Sequence, residues 1–287
     1  MDEQREEPAG SAPGTAVSRR LITLANGRSV DVVEAGDPDG APVLVLHGTP
    51  TGPLEVGMHA GTASELGLRL VSPGRPGYAG STPSERTGLS VVVEDTREVL
   101  DRLGITTYAV LGISGGGPFA ASVTARTSPR TPARGLAILS GVAPREQWGP
   151  PADEEDAEER RLLDLAAAGD RTGAAAGIAS LIATADVDGA PAPIRECFAD
   201  ASRNGHAGYA FDVLSWGLPW DVDVAGVGCP AWLVYGAADA SCPPAYGEWY
   251  RAQVPQAELW VVPGADHGGA IMAGAPKVLR HLRGQLS

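Results

Sequence analysis

The segment LGISGGGPFA, residues 111–120, constrains the fold of this chain more than any other, because four glycines surround its single serine. An apolar run precedes the segment and a helix-compatible run follows it. Small residues on both sides of a turn allow a strand and a helix to approach closely. The pattern therefore predicts a buried strand that ends at Ser114 and turns directly into a helix.

Three kinds of site use glycine-rich turns of this type. A phosphate-binding loop needs a Lys-Ser or Lys-Thr pair at its end, but Gly116, Gly117 and Pro118 stand there. A dinucleotide-binding turn needs the spacing G-x-G-x-x-G, which does not fit here. Gly112-x-Ser114-x-Gly116 instead matches the turn that projects a nucleophilic serine above the edge of a sheet. A glycine-rich turn with an incidental serine is the remaining alternative.

Short apolar runs and helical stretches alternate along most of the chain. Predicted strands cover residues 21–24, 30–36, 42–48, 67–73, 107–114, 133–141, 231–236 and 258–262. The first two are expected to pair antiparallel around the Asn26-Gly27 turn signal. Predicted helices cover residues 89–104, 116–127, about 245–253 and a last segment to 281. This order predicts an α/β fold, with a mostly parallel sheet and helices on both faces.

The same pattern divides the chain into four parts. Residues 1–18 are charged, then small and proline-rich, and predict a disordered acidic lead rather than a signal peptide. Residues 19–142 and 229–287 carry the two parts of the α/β core. Residues 143–228 are acidic and helical, and they are too long for a simple connection. The sequence therefore predicts one core that is interrupted by a helical insert.

The charge and the cysteines narrow the possible partners. Lys and Arg number 22 and Asp and Glu number 35, so the net charge is −13. Nucleic acids and anionic membrane surfaces need clustered basic residues, and neither is expected as a partner. No apolar run approaches the roughly 20 residues that span a bilayer. Cys197, Cys229 and Cys242 lie far apart without metal-ligand spacing, which favours buried thiols in a reducing cytoplasm and predicts no metal site.

A serine hydroxyl needs a base beside it to become a nucleophile. The chain has five histidines: His47, His59, His206, His267 and His281. His267 follows the last predicted strand in the glycine-flanked segment PGADHGG, where an imidazole can reach the edge of the sheet. His47 ends an earlier strand and is expected to be a structural residue of its turn. His267 is therefore the predicted base, and a surface loop histidine is the alternative.

An acid should orient this base, and in the chain order serine, acid, histidine it lies between Ser114 and His267. Asp239 fits, because it stands three residues beyond a predicted strand. The strand at 133–141 ends without a carboxylate. Asp266 is a weaker candidate, because a side chain adjacent to His267 points elsewhere on a short loop. The alternative for Asp239 is a turn aspartate that binds its own backbone.

An anionic intermediate at the serine would need two backbone N–H donors. One is expected from Gly115, which follows the nucleophile directly. The other should come from the loop after His47-Gly48. Because Pro50 has no N–H, Thr49 is the candidate.

Five segments together resemble the α/β-hydrolase family and cover nearly the whole core. They are VLVLHGTP, SPGRPGYAGST, LGISGGGPFA, WLVYGAADASCPP and VVPGADHGG. The resemblance implies an eight-stranded, mostly parallel sheet with a helical cap after the sixth strand. It also implies a catalytic set of five residues: Ser114 as nucleophile, Asp239 as acid, His267 as base, and Thr49 and Gly115 as the oxyanion hole.

Two details refine the resemblance. Many relatives carry an aspartate where this chain has Gly74, before Arg75-Pro76-Gly77-Tyr78, so the geometry of that loop is expected to differ. Relatives that act as dehalogenases or epoxide hydrolases carry an aspartate at the turn occupied by Ser114, which argues against both activities.

The leading hypothesis is a cofactor-independent serine hydrolase that forms an acyl-enzyme with a small or medium ester, thioester, lactone or related acyl substrate. A proline-iminopeptidase-like aminopeptidase is the alternative, because the acidic residues of segment 153–159 could bind a free amino group; a solvated helix start also explains them. A ligand-binding member and a non-hydrolytic acyl-transfer enzyme are further alternatives. Six aromatic residues are candidates for either the pocket wall or the core of the cap: Trp148, Phe198, Tyr209, Phe211, Trp216 and Trp220.

Overall fold

The computed structural model describes residues 17–184 and 187–287, and within them eight strands form one sheet. The strands are β1 (Ser18–Thr23), β2 (Ser29–Gly36), β3 (Ala41–Leu46), β4 (Leu68–Pro73), β5 (Tyr108–Ile113), β6 (Ala133–Leu139), β7 (Ala231–Gly236) and β8 (Ala257–Val262). Their order is β1-β2-β4-β3-β5-β6-β7-β8. The β1–β2 and β2–β4 pairs are antiparallel and the others are parallel. The predicted mostly parallel, eight-stranded sheet is confirmed.

Helices cover both faces of the sheet. The α-helices are α1 (Ala60–Glu65), α2 (Leu89–Arg102), α3 (Gly117–Ala125), α4 (Glu154–Ala167), α5 (Arg171–Ala183), α6 (Ala192–Ala201), α7 (Ala207–Gly217), α8 (Pro244–Gln253) and α9 (His267–Gln285). Short 3-10 helices cover Pro53–His59, Ser114–Gly116, Arg145–Gln147 and Val224–Gly226. Helices α1 and α9 pack on one face, and α2, α3 and α8 contribute to the apolar core on the other.

The central strand β5 shows why its sequence is a continuous apolar run. All six of its residues are buried. Val110 packs into one core, whereas Leu111 and Ile113 pack into the other. A parallel strand that is covered on both faces has no polar side, and the alternating pattern of a half-exposed strand is therefore missing.

The register of the sheet brings the ends of its central strands to one edge. Leu46 of β3 pairs with Gly112 of β5, and Ile113 of β5 pairs with Leu139 of β6. Leu139 in turn pairs with Val234 of β7. The loops that carry the candidate site residues all start at this carboxyl edge, which is where open α/β sheets bind their ligands.

Four helices, α4 to α7, lie between β6 and β7, and we call them the inserted helices. Asp153 caps α4, since its side chain accepts a hydrogen bond from the N–H of Asp156. Asp170 caps α5 in the same way, from Gly173. Trp216 of α7 packs edge-on against Phe119 of α3, with ring centroids 6.2 Å apart. The inserted helices are thus joined to the core next to the turn after β5.

Several details differ from the sequence-based predictions. Ser18 belongs to β1 rather than to the predicted N-terminal lead, and residues 1–16 of that lead lie outside the described part of the chain. Helix α9 continues to Gln285, beyond the predicted end at 281. Helix α1 and the preceding 3-10 helix lie between β3 and β4, where the sequence analysis assigned no element.

All three cysteines are free and buried.

Within residues 17–184 and 187–287, no helix combines the length and the apolar character that crossing a bilayer requires.

A buried histidine makes stability sensitive to acid. His59 is 4% exposed, its Nε2 has no hydrogen-bond partner among the described residues, and burial lowers its pKa to about 4. An unfolded histidine takes up a proton near pH 6.5, whereas the folded protein resists protonation until about pH 4. Its contribution to stability is therefore complete above pH 6.5 and is lost progressively as the pH falls.

We expect the buried His59 to lower the free energy of unfolding by about 2 kcal/mol when the pH falls from 7 to 5. Urea denaturation of the wild type and of His59→Gln at both pH values measures the effect. From pH 7 to pH 5, the wild type should lose about 2 kcal/mol more free energy of unfolding than the variant does. A difference that stays constant with pH would contradict the assignment.

Candidate active site

The turn after β5 is the first element of the site. Ser114 has a φ of 49°, a left-handed conformation that is strained for a non-glycine residue. A Cβ on Gly116 would lie 2.0 Å from the carbonyl oxygen of Leu46, and one on Gly112 would lie 2.6 Å from the Cβ of Ala120. No side chain fits at either position. The glycines of the segment therefore allow helix α3 and the end of β3 to pack directly against the turn.

The structure brings Ser114, His267 and Asp239 together. The Nε2 atom of His267 lies 3.0 Å from the Oγ of Ser114, and its Nδ1 lies 2.8 Å from Oδ2 of Asp239. A carboxylate only accepts hydrogen bonds, so Nδ1 carries the proton and Nε2 is free to accept the serine hydroxyl. Asp239 is fully buried at its side chain, whereas that of His267 is 30% exposed. A base that is open to the cavity can exchange a proton with a bound molecule.

The backbone after β7 fixes the Asp239 carboxylate. Its Oδ1 accepts hydrogen bonds from the N–H groups of Ser241, at 3.0 Å, and Cys242, at 2.8 Å. Burial alone raises the pKa of Asp239, but the hydrogen bonds from His267 and Cys242 outweigh it and the pKa lies below its usual value. The carboxylate is therefore ionised and oriented toward the imidazole.

The two other residues weighed for these roles have different partners. Asp266 caps helix α9, accepting a hydrogen bond of 2.8 Å from the N–H of Gly269. His47 is fully buried, and its Nδ1 donates to the carbonyl of Gly48 while its Nε2 accepts from the N–H of Arg75. Burial, and next the charge of Arg75, lower the pKa of His47 well below its usual value. His47 is thus a neutral residue of its turn.

Thr49 and Gly115 lie next to each other across the site. A Cβ on Gly115 would be 2.4 Å from the Oγ1 of Thr49, so the backbone of Gly115 packs directly against the side chain of Thr49. The loop before Thr49 is held by Glu55, whose Oε2 accepts a hydrogen bond of 2.5 Å from the N–H of Gly48. Both proposed oxyanion donors therefore belong to segments that are fixed by close packing.

A buried ion pair behind this loop was missed by the sequence analysis. Arg75 and Asp212 have no exposed side-chain surface, and Nη2 of Arg75 lies 2.6 Å from Oδ2 of Asp212. Arg75 belongs to the segment SPGRPGYAGST, which the sequence analysis treated as a loop of altered geometry. Asp212 lies on α7 and belongs to no recognisable motif. The only available signal was an arginine in a short, otherwise apolar and glycine-rich turn.

A cavity of about 590 Å³ opens above Ser114, Thr49, Gly115 and His267. Three of the six aromatic candidates line it: Trp148, Tyr209 and Trp216. Phe211 and Trp216 belong to the buried apolar core, and Trp220 packs against it. The volume lies within the range of small-molecule binding sites.

Acidic residues of α4 and its cap face the same cavity. Asp153 and Asp156 line it, but Asp153 caps the helix and Asp156 forms an ion pair with Arg160. Glu159 also lines it and accepts a hydrogen bond of 2.9 Å from the hydroxyl of Tyr209. Burial raises the pKa of Glu159. Glu159 forms no ion pair among the described residues, since the nearby Arg160 pairs with Asp156.

The described residues contain no group of three or more His, Cys, Asp or Glu side chains with the geometry to hold a metal ion.

The packing at the turn leads to a test. We expect Gly116→Ala to lower the free energy of unfolding by about 3 kcal/mol, because the added methyl group meets the backbone of β3. Gly284→Ala is the matched control, since a Cβ on Gly284 in helix α9 meets nothing within 4 Å. Alanine in that helix should raise stability by up to about 1 kcal/mol. Denaturant unfolding of both variants distinguishes them, and equal stabilities would contradict the packing argument.

Comparison with known proteins places this geometry in a family. Residues 43–281 match the Alpha/beta hydrolase family. The comparison with curated protein sequences found no match. An alpha/beta hydrolase fold protein from Nakamurella multipartita is 25% identical, with a TM-score of 0.67 over 94% of this chain and 99% of that one.

Two further solved structures share the fold at lower identity. The esterase EaEST from Exiguobacterium antarcticum is 21% identical, with a TM-score of 0.66 over 93% of this chain and 98% of its own. A proline iminopeptidase from Mycobacterium smegmatis is 23% identical, with a TM-score of 0.67 over the same shares of the two chains. The family match covers most of the sequence, and the chain therefore belongs to the alpha/beta hydrolase family.

Proposed function

We propose that the protein is a serine hydrolase that cleaves an ester, thioester, lactone or related acyl substrate through an acyl-enzyme on Ser114. The observation that carries the proposal is the hydrogen-bonded series from Asp239 through His267 to Ser114, with distances of 2.8 and 3.0 Å, at a cavity of about 590 Å³. A nucleophile, a base and an orienting acid in this geometry are the requirements of acyl transfer.

The reaction follows from the proton positions. Nε2 of His267 takes the proton of the Ser114 hydroxyl as Oγ attacks the substrate carbonyl carbon. The imidazolium, stabilised by Asp239, then gives the proton to the leaving group, and the acyl-enzyme remains. Water attacks the acyl-enzyme with His267 again as the base, and the acid product and the free serine are released.

The tetrahedral intermediates carry a negative oxygen that needs donors already in place. The N–H groups of Thr49 and Gly115 are the proposed donors, because both residues line the cavity beside Ser114. Backbone donors that are fixed before the reaction stabilise this charge without reorganisation, and one of them typically contributes about 3 kcal/mol.

The inserted helices act as a cap in this proposal. Helix α4 supplies Glu159 to the wall of the cavity, and helix α7 supplies Tyr209 and Trp216. They lie opposite the carboxyl edge of the sheet, so they exclude water from the intermediate and set the shape of the substrate.

Labelling with a fluorophosphonate tests the nucleophile. The wild type should be labelled at Ser114, and Ser114→Ala should lose both the label and at least about 10⁴-fold of the rate on p-nitrophenyl esters. Ser241→Ala is the matched control within the same cavity, since Ser241 contacts Asp239 through its backbone N–H, which the variant keeps. Label on Ser114→Ala, or none on the wild type, would refute the assignment.

An aminopeptidase is the second candidate, and Glu159 is the observation that favours it. Its carboxylate faces the cavity, accepts one hydrogen bond from Tyr209 and has no ion-pair partner among the described residues, since the nearby Arg160 pairs with Asp156. A free amino group of a substrate would supply that partner. Binding the ammonium would also counteract the burial that raises the pKa of Glu159.

Comparing aminoacyl arylamides with p-nitrophenyl esters separates the two candidates. If the protein is an aminopeptidase, Glu159→Gln should raise KM for the arylamide at least about tenfold, since a charge-assisted hydrogen bond is lost. The variant should leave ester turnover within about twofold. Glu158→Gln is the matched control on the same helix, because Glu158 pairs with Arg161 outside the cavity. Turnover of esters alone would remove the aminopeptidase candidate.

A further inference from the structure

Asp212 on α7 is the centre of a buried hydrogen-bond network. Its Oδ2 accepts three bonds: from Arg75 Nη2 at 2.6 Å, from the Thr49 hydroxyl at 2.5 Å and from the Tyr78 hydroxyl at 2.7 Å. Its Oδ1 accepts a bond of 2.7 Å from Nε of Arg75. The two-point contact with the guanidinium leaves this carboxylate with a single orientation.

Arg75 also donates hydrogen bonds to the loop that carries Thr49, and it thereby fixes that loop relative to Asp212. Its Nη1 donates to the carbonyl of His47 at 2.6 Å, and its Nη2 donates to the hydroxyl of Thr49 at 3.1 Å. The guanidinium also lies over the ring of Phe119, 4.7 Å from its centroid, on the helix that follows Ser114. One buried cation thus contacts the proposed oxyanion loop and the helix behind the nucleophile.

The energetic cost of burying the Arg75–Asp212 pair indicates that the pair orients its neighbours rather than stabilises the fold. Taking an arginine and an aspartate completely out of water costs several kcal/mol for each ion. Apolar residues of similar volume often give equal or greater stability, so a buried pair is weak evidence for a stabilising role. What apolar residues do not replace here is the direction imposed on the Thr49 hydroxyl.

We propose that Asp212 is a positioning residue, which holds the loop of Thr49 so that its N–H points at the oxygen of the reacting carbonyl. This role rests on the proposed serine hydrolase function. Asp212 is not among the residues that line the cavity, so it acts through Thr49 and not on the substrate. Because Asp212 belongs to the inserted helices, the oxyanion hole is complete only when α7 is docked on the core.

Two variants test the role, and each removes one hydroxyl group that donates to Oδ2 of Asp212. Thr49→Val removes the hydroxyl that donates to Asp212 and accepts from Arg75, and it keeps the backbone N–H. Tyr78→Phe removes a neighbouring hydrogen bond to the same Oδ2 of Asp212. We expect Thr49→Val to lower kcat on a p-nitrophenyl ester, and the rate of fluorophosphonate labelling, at least tenfold while KM changes less than threefold. Tyr78→Phe should lower Tm but change kcat less than threefold.

The conservative variant completes the test. Thr49→Ser keeps the hydroxyl bond to Asp212 and should restore kcat to within about threefold of the wild type. Asp212→Asn should show the same loss of kcat as Thr49→Val, and the threonine variants give the answer even if Asp212→Asn does not fold.

The outcomes separate this role from the proposed function. Labelling of Ser114 together with equal kcat in Thr49→Val and Tyr78→Phe, whether lowered or unchanged, would overturn the positioning role alone. Absence of labelling at Ser114 in the folded wild type would overturn the proposed function, and the positioning role would fall with it.

Discussion

At the turn after β5, the backbone of Gly116 lies so close to the end of β3 that a Cβ would be 2.0 Å from the carbonyl oxygen of Leu46. This contact fixes helix α3, strand β3 and Ser114 relative to one another. Because the contact joins backbones, it leaves almost no freedom for adjustment. The positions of Thr49 and Gly115, which touch across the same gap, follow from it.

Three buried carboxylates support loops at this same edge of the sheet. Asp239 is held by His267 and backbone N–H groups, Glu55 by Gly48, and Asp212 by Arg75. A buried carboxylate is tolerated when its oxygens are hydrogen-bonded, and each of these supports a loop. Glu159, which accepts from Tyr209 alone among the described contacts, faces the cavity instead.

The inserted helices have two connections to the site. Through α4 and α7 they form part of the cavity wall, and through Asp212 they contact the loop of Thr49 behind that wall. A change in the seating of α7 would therefore affect the shape of the cavity and the loop together. Under the proposed function, helix α7 would contribute both to substrate selection and to transition-state stabilisation.

The sequence by itself determined the α/β fold, the order of the core elements and three residues of the candidate site. Strands and helices follow from local periodicity, and Ser114 follows from glycines within two residues of it. Asp239 and His267 could be found because loops after parallel strands converge on one edge, whatever the side-chain details.

Only the tertiary structure decided which distant side chains meet. Arg75 and Asp212 are 137 residues apart, and their contact depends on how α7 sits on the core. The same packing places Phe211 and Trp216 of α7 against Phe119 in the apolar core, and of these two only Trp216 also lines the cavity. Local periodicity shows which face of a helix is apolar. The element against which that face packs is set by long-range contacts, and these leave no periodic pattern in the sequence.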